Sequence, residues 1–298
     1  MKIKSLSYST MLHILSFHSN ITDKRDYIVI KTPDNPHHHW GNFLMFPSAP
    51  KEGDFKYWQY LFNQEFGHIS GVSHIAFAWD SIEGKAGDIE SFIEAGYTFE
   101  LDDVLTAGQL HAPAKYNSDI SVLNSQGLEN PEGLNSEISV RQIVSGEDWG
   151  KVYDFQIYCS GKQEDKDYIK FVHKRMQGYK KMSEVGLGGW FGAFSGSELV
   201  AHAGLYQALP QRNRTEGKPG RFHLPETHPG YRRRGICSFL LFKISEWGLN
   251  EMGFNTFVIV ADQAGFAGKV YKSVGFEVTE YGASLIHPNV RPSGFSKP

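Results

Sequence analysis

Apolar side chains recur at regular spacings through the second half of the chain. In residues 165–185 they stand three and four positions apart, as at Ile169, Val172 and Met176, which predicts an amphipathic helix. Residues 190–194 and 199–205 are apolar segments on either side of Ser195-Gly196-Ser197, which predicts a hairpin with a glycine-bearing turn. This half of the chain therefore contains both helices and strands.

Further strands and helices alternate along the same half. We predict strands at 138–143, 221–227, 257–261 and 276–281, and helices at 149–159, 235–250 and 265–274. The run 257–261 is apolar throughout, which is typical of a strand buried on both faces. Pro225 must lie at a bulge, a strand end or an edge, because proline has no N–H to donate. This order predicts an α/β fold with helices on the faces of the sheet.

The first half of the chain repeats this order in a shorter form. Segments 27–31, 40–46 and 73–79 are strand-like, and segments 55–66 and 89–95 are helical. Two six-residue stretches also match. Each has an aromatic residue one helical turn before a helix-ending glycine and another aromatic directly after it, at Phe92-Gly96-Tyr97 and at Tyr271-Gly275-Phe276. We therefore predict two copies of one fold.

A polar stretch separates the two halves. Residues 115–137 are rich in Ser, Asn, Gly and Pro and poor in apolar side chains, which indicates a linker. We predict one domain at 1–136 and a second at 137–298.

Composition excludes several classes of protein. The chain has 298 residues, 40% of them apolar, with 30 Lys and Arg against 33 Asp and Glu. This balance gives no basic surface for nucleic acid, and the apolar content is too high for a disordered chain. The two cysteines exclude a disulfide scaffold. Without a membrane-length apolar run or a signal-peptide pattern, we expect a cytoplasmic protein with no membrane partner, as monomer or homodimer.

A metal site is not expected. His37, His38 and His39 are consecutive, so their side chains cannot easily converge on one ion, and an exposed loop is the better interpretation.

The clearest chemical signal joins a predicted strand to a predicted helix. Residues 227–238 read Thr-His-Pro-Gly-Tyr-Arg-Arg-Arg-Gly-Ile-Cys-Ser, and the helix begins at Gly235. Backbone N–H groups at a helix start are unsatisfied and lie at the positive end of the helix dipole. Small residues there let phosphates approach, and three arginines add positive charge. The segment therefore predicts an anion-binding loop.

This loop resembles the signature of the GNAT superfamily of acyl-CoA N-acyltransferases. Arg232, Gly235 and Cys237 match the family's Arg/Gln-x-x-Gly-x-Gly/Ala motif, with Cys in the last small position. A second family pattern, Ala-x-x-Leu-Tyr-x-x-x-Gly-Phe, is matched from Ala267 to Phe276. Ala264 stands where the family often has asparagine. The resemblance covers residues 138–286 and implies a mixed-sheet GNAT fold in two tandem copies.

The resemblance also implies an acyl donor and a set of binding residues. Acetyl-CoA would bind with its pyrophosphate on the backbone amides of the loop and its pantetheine arm along the strand near Thr227. The implied cofactor-binding residues are Thr227, Arg232, Arg233, Arg234, Gly235, Ile236, Cys237 and Ser238. By the same resemblance, Tyr271 would protonate the departing thiolate.

The reaction also needs a route for the proton of the acceptor amine, because an amine is mostly protonated at neutral pH. Glu226, His223 and His228 lie on or beside the strand that enters the loop, and each could relay a proton through water. Strand alternation places Glu226 and His228 on one face and His223 on the other, unless Pro225 breaks that register. Glu226 is the first candidate for the base.

The first domain lacks the same chemistry. The segment before its helix, residues 47–54, has no Arg-x-x-Gly loop and contains Glu52 and Asp54. Phe92 occupies the position of Tyr271 and has no proton to give. We therefore expect a degenerate first copy beside a catalytic second copy.

The resulting hypothesis is transfer of an acetyl group from coenzyme A to a small-molecule primary amine, by direct attack in a ternary complex. No histidine–aspartate pair is readable beside Cys237, so that residue is interpreted as a packing residue and not as a nucleophile. Two alternatives stay open, namely a non-catalytic sensor of acyl-CoA and an acyltransferase that acts on a protein or peptide amine.

Overall fold

Helices and strands alternate along the chain as the apolar pattern predicts. The computed structural model describes residues 1–113, 120–122, 138–208, 218–290 and 292. The amino-terminal segment contains α1 (Leu6–Leu15), β1 (Asn20–Asp23), β2 (Ile28–Lys31), β3 (Phe43–Phe46), α2 (Asp54–Phe66), β4 (His74–Trp79), α3 (Glu90–Glu94) and β5 (Thr98–Ala107).

The remainder of the chain has the longer set of elements. It contains β6 (Ile120–Val122), β7 (Ile138–Gln142), α4 (Gly146–Ser160), α5 (Lys166–Glu184), β8 (Gly188–Ser195), β9 (Glu198–Gln207), β10 (Pro219–Thr227), α6 (Ile236–Asn250), β11 (Thr256–Asp262), α7 (Ala267–Lys272) and β12 (Glu277–Pro288). The predicted helices, the hairpin β8–β9 and the strands around α6 are confirmed. Within the described residues, no helix combines the length and apolar content needed to cross a bilayer.

The described residues divide into two compact units, and neither is one continuous stretch. Unit 1 comprises Met1–Val104, Val260–Gly265 and Val278–Pro298, and unit 2 comprises Leu105–Ile259 and Phe266–Glu277. Residues 278–290 therefore pack with the amino-terminal segment, whereas the predicted ranges 1–136 and 137–298 are continuous. The predicted boundary itself lies outside the described residues.

Unit 1 is built on a mixed sheet covered on both faces. β1, β2 and β3 pair antiparallel in sequence, β3 pairs parallel with β4, and β12 pairs antiparallel with β4. Alternate residues of β3 and β4 supply two cores. The first core includes Leu44, Phe46, Phe77, Trp79 and residues of α2; the second includes Phe43, Met45, Ala76, Ala78 and residues of α1. Burial on both faces explains why β3 and residues 75–79 of β4 are apolar at every position.

Unit 2 also has a mixed sheet with helices on both faces. β7, β8, β9 and β10 pair antiparallel in sequence, while β6 pairs parallel with β7 and β11 parallel with β10. Trp190 of β8 contacts Trp149 of α4 and Tyr179 of α5. The next residue, Phe191, contacts Trp247 of α6. Because adjacent strand residues point to opposite faces, α4 and α5 cover one face and α6 covers the other.

The predicted repeat is present in the order of the elements. The series β3–α2–β4–α3 and β10–α6–β11–α7 agree in the type and order of their elements. In each series the two strands pair with each other in parallel. A glycine with positive φ precedes each long helix, Gly53 at 88° and Gly235 at 82°. Each short helix is likewise followed by such a glycine, Gly96 at 92° and Gly275 at 105°. Both copies therefore use the same backbone turns.

The apolar pattern does not predict helix α1. Its first turn is held by side chains that are remote in the sequence. Asp80 accepts hydrogen bonds from the backbone N–H groups of Lys4 and Ser5, each at 2.8 Å. Glu280 accepts one from Leu6 at 2.7 Å. Asp80 and Glu280 are both buried. The two carboxylates satisfy N–H groups that the helix cannot satisfy itself, and their charge favours the helix dipole.

We expect Asp80→Ala to destabilise the protein by about 1–3 kcal/mol, because it leaves two N–H groups of a buried helix start without an acceptor. Urea denaturation followed by circular dichroism measures this loss. Asp34→Ala, which removes an exposed carboxylate in the same unit, is the control and should change the free energy of unfolding by less than about 0.5 kcal/mol. Equal stability of the two variants would show that Asp80 does not hold α1.

Candidate functional site

The segment between β10 and α6 is folded into a tight, basic loop. Residues Pro229–Tyr231 form a 3-10 turn, in which His228 Nδ1 accepts a hydrogen bond from the Gly230 N–H at 3.2 Å. The Arg232 Nε donates to the Thr227 carbonyl at 3.1 Å, which closes the loop onto the end of β10. Arg233 has a φ of 64°, and Gly235 at 82° turns the chain into α6.

The first turn of α6 is left open to a ligand. Among the described residues no side chain caps its N-terminus, and the capping residue Gly235 carries no Cβ. Arg232, Arg233 and Arg234 are exposed around it, and the Arg234 guanidinium lies 5.0 Å from the centre of the Tyr231 ring. Unsatisfied N–H groups, the positive end of the helix dipole and three cations together favour a phosphate group at this position. The structure thus brings the predicted loop residues together at one helix start.

The strand before this loop leaves its parallel neighbour. β10 pairs with β11 only from Pro219 to Arg221, opposite Thr256 to Val258. Residues 222–227 of β10 have no β11 partner in the described structure and continue beside β9 alone. The backbone on the β11 side of this segment is therefore free to pair with an extended ligand.

A bulge in β10 determines which of its side chains face the helices α4 and α5. Its pairing with β9 is regular up to His223 opposite Gly204, then shifts so that Glu226 lies opposite His202. Pro225 lies within the shift, as predicted, and Leu224 has a φ of 48°, a region that leucine rarely adopts. The extra residue in β10 changes which face each later side chain occupies.

The bulge corrects the predicted alternation of the three candidate bases. The His223 Nδ1 lies 2.9 Å from the Tyr179 hydroxyl of α5, and the His228 ring stacks on Tyr158 of α4. The His202 ring, opposite Glu226, contacts Phe155 of α4. His223 therefore faces the same helices as Glu226 and His228, and the prediction that it lies on the opposite face is wrong.

Glu226 lies beside a buried histidine that the sequence did not single out. The His202 Nε2 is 3.6 Å from the Glu226 Oε2, and their side chains are 0% and 33% exposed. Burial lowers the pKa of His202 below 6.5, while the Glu226 carboxylate opposes that shift. His202 is therefore neutral near pH 7 and able to accept a proton. Its only sequence signal is one histidine within the apolar run 199–205.

Tyr271 lies on α7, close to the start of α6. Its side chain is 5% exposed, and the hydroxyl makes no hydrogen bond within the described part of the chain. Burial raises the pKa of Tyr271 well above its usual value, and the neighbouring Cys237 adds to the rise. The hydroxyl therefore keeps its proton near neutral pH. Ser238 and Ser273 lie with their hydroxyl oxygens 3.4 Å apart, so α6 and α7 meet beside it.

Neither cysteine is suited to act as a nucleophile. Burial raises the pKa of Cys237 to about 12 and that of Cys159 to about 11. Because the thiolate is the reactive form of cysteine, both thiols are unreactive near neutral pH.

A cavity of about 330 Å³ opens beside the bulge. Its lining residues come from α4, α5 and β10: Gln156, Tyr168, Arg175, Leu224, Pro225 and Glu226. Gln156 and Arg175 were not predicted as site residues, because on the sequence they are ordinary polar positions of two helices.

The corresponding part of unit 1 is closed. β3 pairs with β4 through Phe46 opposite Trp79, the last residue of each strand. The Phe46 ring stacks on Trp58 with the centroids 3.7 Å apart, and Phe92 is fully buried among these aromatics. The Asp54 carboxylate, which accepts the Lys51 N–H at 2.8 Å, places a negative charge at the start of α2, where the start of α6 has three arginines.

The histidine run in unit 1 is half-buried, which differs from the predicted exposed loop. The His39 ring lies 4.4 Å from that of the buried His74. Within the described residues, no group of three or more His, Cys, Asp or Glu side chains is arranged to hold a metal ion.

Comparison with known proteins identifies the relatives of this chain. Residues 155–276 match the model of the acetyltransferase (GNAT) family. No curated protein matches the chain significantly in sequence.

Solved structures resemble it over nearly the full length. A functionally unknown conserved protein from Staphylococcus epidermidis is 12% identical with a TM-score of 0.64, covering 92% of this chain and 96% of that one. A GCN5-related N-acetyltransferase from Kribbella flavida is 12% identical with a TM-score of 0.60, covering 99% and 97%. Another, from Sphaerobacter thermophilus, is 13% identical with a TM-score of 0.53, covering 97% and 95%. At sequence identities of 12–13%, this structural similarity shows that the chain shares the fold of these proteins.

We expect His202 to titrate below 6.5, and Glu226→Gln to lower its pKa further, because the carboxylate stabilises the protonated ring. Imidazole ¹⁵N shifts in an NMR titration report both values. Glu251→Gln, an exposed change at the far end of α6, should leave the His202 pKa unaltered. An unchanged or raised His202 pKa in Glu226→Gln would contradict the pairing.

The same group makes stability depend on pH. Because the folded-state pKa of His202 is lowered, the unfolded chain binds the proton more readily, so this group reduces the free energy of unfolding as pH falls through 6.5.

Proposed function

We propose that this chain, whose residues 155–276 match the acetyltransferase (GNAT) family, is an N-acyltransferase that moves an acetyl group from coenzyme A to the amine of a small molecule. The observation that carries the proposal is the separation of β10 from β11 after Arg221, directly before an uncapped helix start. One element offers backbone for an extended thioester arm, and the next offers N–H groups for its phosphates.

The loop residues would hold the donor. Backbone N–H groups of Ile236, Cys237 and Ser238 lie in the first turn of α6, where helix geometry leaves them without intrahelical acceptors. Gly235 lets a phosphate approach them closely, and the three arginines add long-range attraction. Thr227, at the end of β10, lies where the strand passes into the loop.

Transfer forms a bond between the amine nitrogen and the acyl carbon and breaks the bond between that carbon and sulfur. Glu226, backed by the neutral His202, is placed to take a proton from the amine directly or through water. The protonated Tyr271 hydroxyl supplies a proton to the leaving thiolate. Because the cysteine thiols are desolvated and protonated, the amine attacks the thioester directly, with no acyl-enzyme.

The test combines binding with turnover on the full chain. Calorimetry with coenzyme A should give one site per chain, because β3 and β4 leave no gap in unit 1. A thiol-release assay with acetyl-CoA and a panel of amines should then show acceptor-dependent turnover. Two equivalent sites would contradict the degeneracy of unit 1. Tight binding without thiol release from any amine would favour the acyl-CoA sensor, and release only with protein or peptide amines would favour that alternative.

Gly235→Val should weaken coenzyme A binding at least about tenfold, or about 1.4 kcal/mol, because a side chain would occupy the approach to the helix start. Gly186→Val is the matched control, since Gly186 has a φ of 74°, an open surface position and no part in the loop. Gly235→Asn tests the same idea with less backbone strain, because asparagine tolerates positive φ. Unchanged affinity in both Gly235 variants would show that the loop does not bind the phosphates.

Tyr271→Phe should slow the chemical step by roughly 10²–10⁴-fold, since the ring and its packing remain but the proton is lost. Coenzyme A affinity should change little. The defect should shrink with a donor whose thiol is more acidic, because a better leaving group needs less protonation. Tyr281→Phe, on the surface of unit 1, should leave single-turnover rates unchanged. Full single-turnover activity of Tyr271→Phe would assign the residue to packing alone.

A further inference from the structure

Two residues that line the cavity beside Glu226 each have a hydrogen-bond donor without an acceptor among the described residues. The Arg175 Nη2 donates to the Gln156 Oε1 at 2.7 Å. The Arg175 Nε and the Gln156 Nε2 are both shielded from solvent and have no partner in the described part of the chain. The amide orientation follows from the chemistry, since arginine can only donate and the Gln156 atom that faces it must be the oxygen. Both orphaned donors belong to residues that line the cavity.

The charge of Arg175 is also unbalanced. Its described contacts are the neutral Gln156 amide and the Phe171 ring, whose centre is 4.5 Å from the guanidinium carbon. Burial lowers the pKa of Arg175; its Nε is shielded from solvent, and the side chain as a whole is partly buried. A desolvated cation without a paired carboxylate is costly, and a ligand anion would offset the cost. The planar guanidinium suits a carboxylate, which it can bind through two parallel N–H groups.

The negatively charged Glu226 lines the same cavity as Arg175. Glu226 attracts Arg175 electrostatically, yet no ion pair joins them in the described structure. The cavity is therefore lined by a carboxylate, with His202 behind it, and by the cation of Arg175 with its Gln156 partner. This arrangement is complementary to a molecule with an amine at one end and an anionic group at the other.

Size restricts that molecule further. The cavity volume of about 330 Å³ is at the small end of the range for ligand pockets. Tyr168, Leu224 and Pro225 supply apolar surface beside the charged groups. A free amino acid meets these limits.

We propose that the acceptor is a free amino acid, whose carboxylate binds Arg175 and Gln156 while Glu226 faces its amine. This inference rests on the proposed acyl transfer for its meaning, but it concerns binding and is tested without turnover. Arg175 and Gln156 determine specificity in this scheme and take no part in the chemical step.

Binding is measured on the full chain with coenzyme A present, so that no acyl group can be transferred. The probes are the standard amino acids and, for each, the matching carboxamide, which keeps the amine and side chain but lacks the carboxylate charge. At least one amino acid should bind, measured by calorimetry, and its carboxamide should bind at least about 30-fold more weakly. Equal binding of acid and carboxamide, or binding of neither, would overturn the proposal.

Variants of Arg175 and Gln156 test whether these residues bind the carboxylate of the ligand. Arg175→Gln should remove the preference for the acid and leave carboxamide binding within about threefold. Gln156→Glu, a nearly isosteric change, should do the same, because the new carboxylate would pair with Arg175 and exclude the ligand's. Lys174→Gln removes the same charge from an exposed neighbour on α5 and should bind like the unaltered chain. Retained acid preference in Arg175→Gln would also overturn the proposal.

Failure of the proposed function has a different signature. The best-binding amino acid is offered together with acetyl-CoA in the thiol-release assay. Binding that depends on Arg175, without thiol release, would refute acyl transfer to this ligand and leave the amino acid site standing. Thiol release with amines that lack a carboxylate, and without dependence on Arg175, would keep the acyltransferase and refute the amino acid acceptor.

Discussion

A proline in the middle of β10 is the constraint on which the candidate site depends. Pro225 has no N–H to donate, so a regular ladder with both neighbouring strands is impossible at this position. The chain accommodates it with a bulge in which Leu224 adopts a φ of 48°. The extra residue moves Glu226 opposite His202, and the bulge residues line the cavity. The pairing with β11 ends at Arg221, four residues before Pro225, which leaves backbone without a β11 partner in the described structure before the basic loop.

The two copies of the fold differ at the place where a parallel strand pair meets the start of a helix. At this place, the space between the strand ends must be either filled or left for a ligand. Unit 1 pairs β3 with β4 to their last residues and fills the region with stacked aromatics such as Phe46 and Trp58. Aromatic burial of this kind stabilises the fold and leaves no room for a ligand. In unit 2 the strands separate after Arg221, and polar groups line a cavity between β10 and the helices α4 and α5.

Those polar groups are incompletely satisfied, which is unusual in a protein interior. His202, Arg175 and Gln156 each keep a buried nitrogen without an acceptor or donor partner in the described structure. A residue chosen only for stability would be apolar or fully paired at such a position. Departures from that rule gather at sites where a ligand completes the hydrogen bonding. Gln156 and Arg175 line the cavity, and His202 lies behind its Glu226, so these three unpaired groups are where the proposed reaction needs a base and a specific acceptor.

Much of the architecture could be predicted from the sequence. Helical and strand periodicities are local properties, so the order β10–α6–β11–α7, the hairpin β8–β9 and the repeat in the first half were all readable. The anion-binding loop was readable for the same reason, because Gly235 and the three arginines are adjacent in the chain. The need for an irregularity at Pro225 followed from the missing N–H alone.

Only the tertiary structure decided what depends on register or on residues far apart in the chain. Helix α1 is held by carboxylates 75 and 274 residues away, so its own segment carried no clear signal. The end of the chain, which reads as part of the second domain, supplies β12 to unit 1. One extra residue in β10 determines which face His223 occupies and places Glu226 opposite His202. The pattern of apolar positions does not reveal where such an extra residue lies. Arg175 and Gln156 become a ligand site only because two helices bring them to one cavity, where burial changes the energetic cost of an unpaired charge.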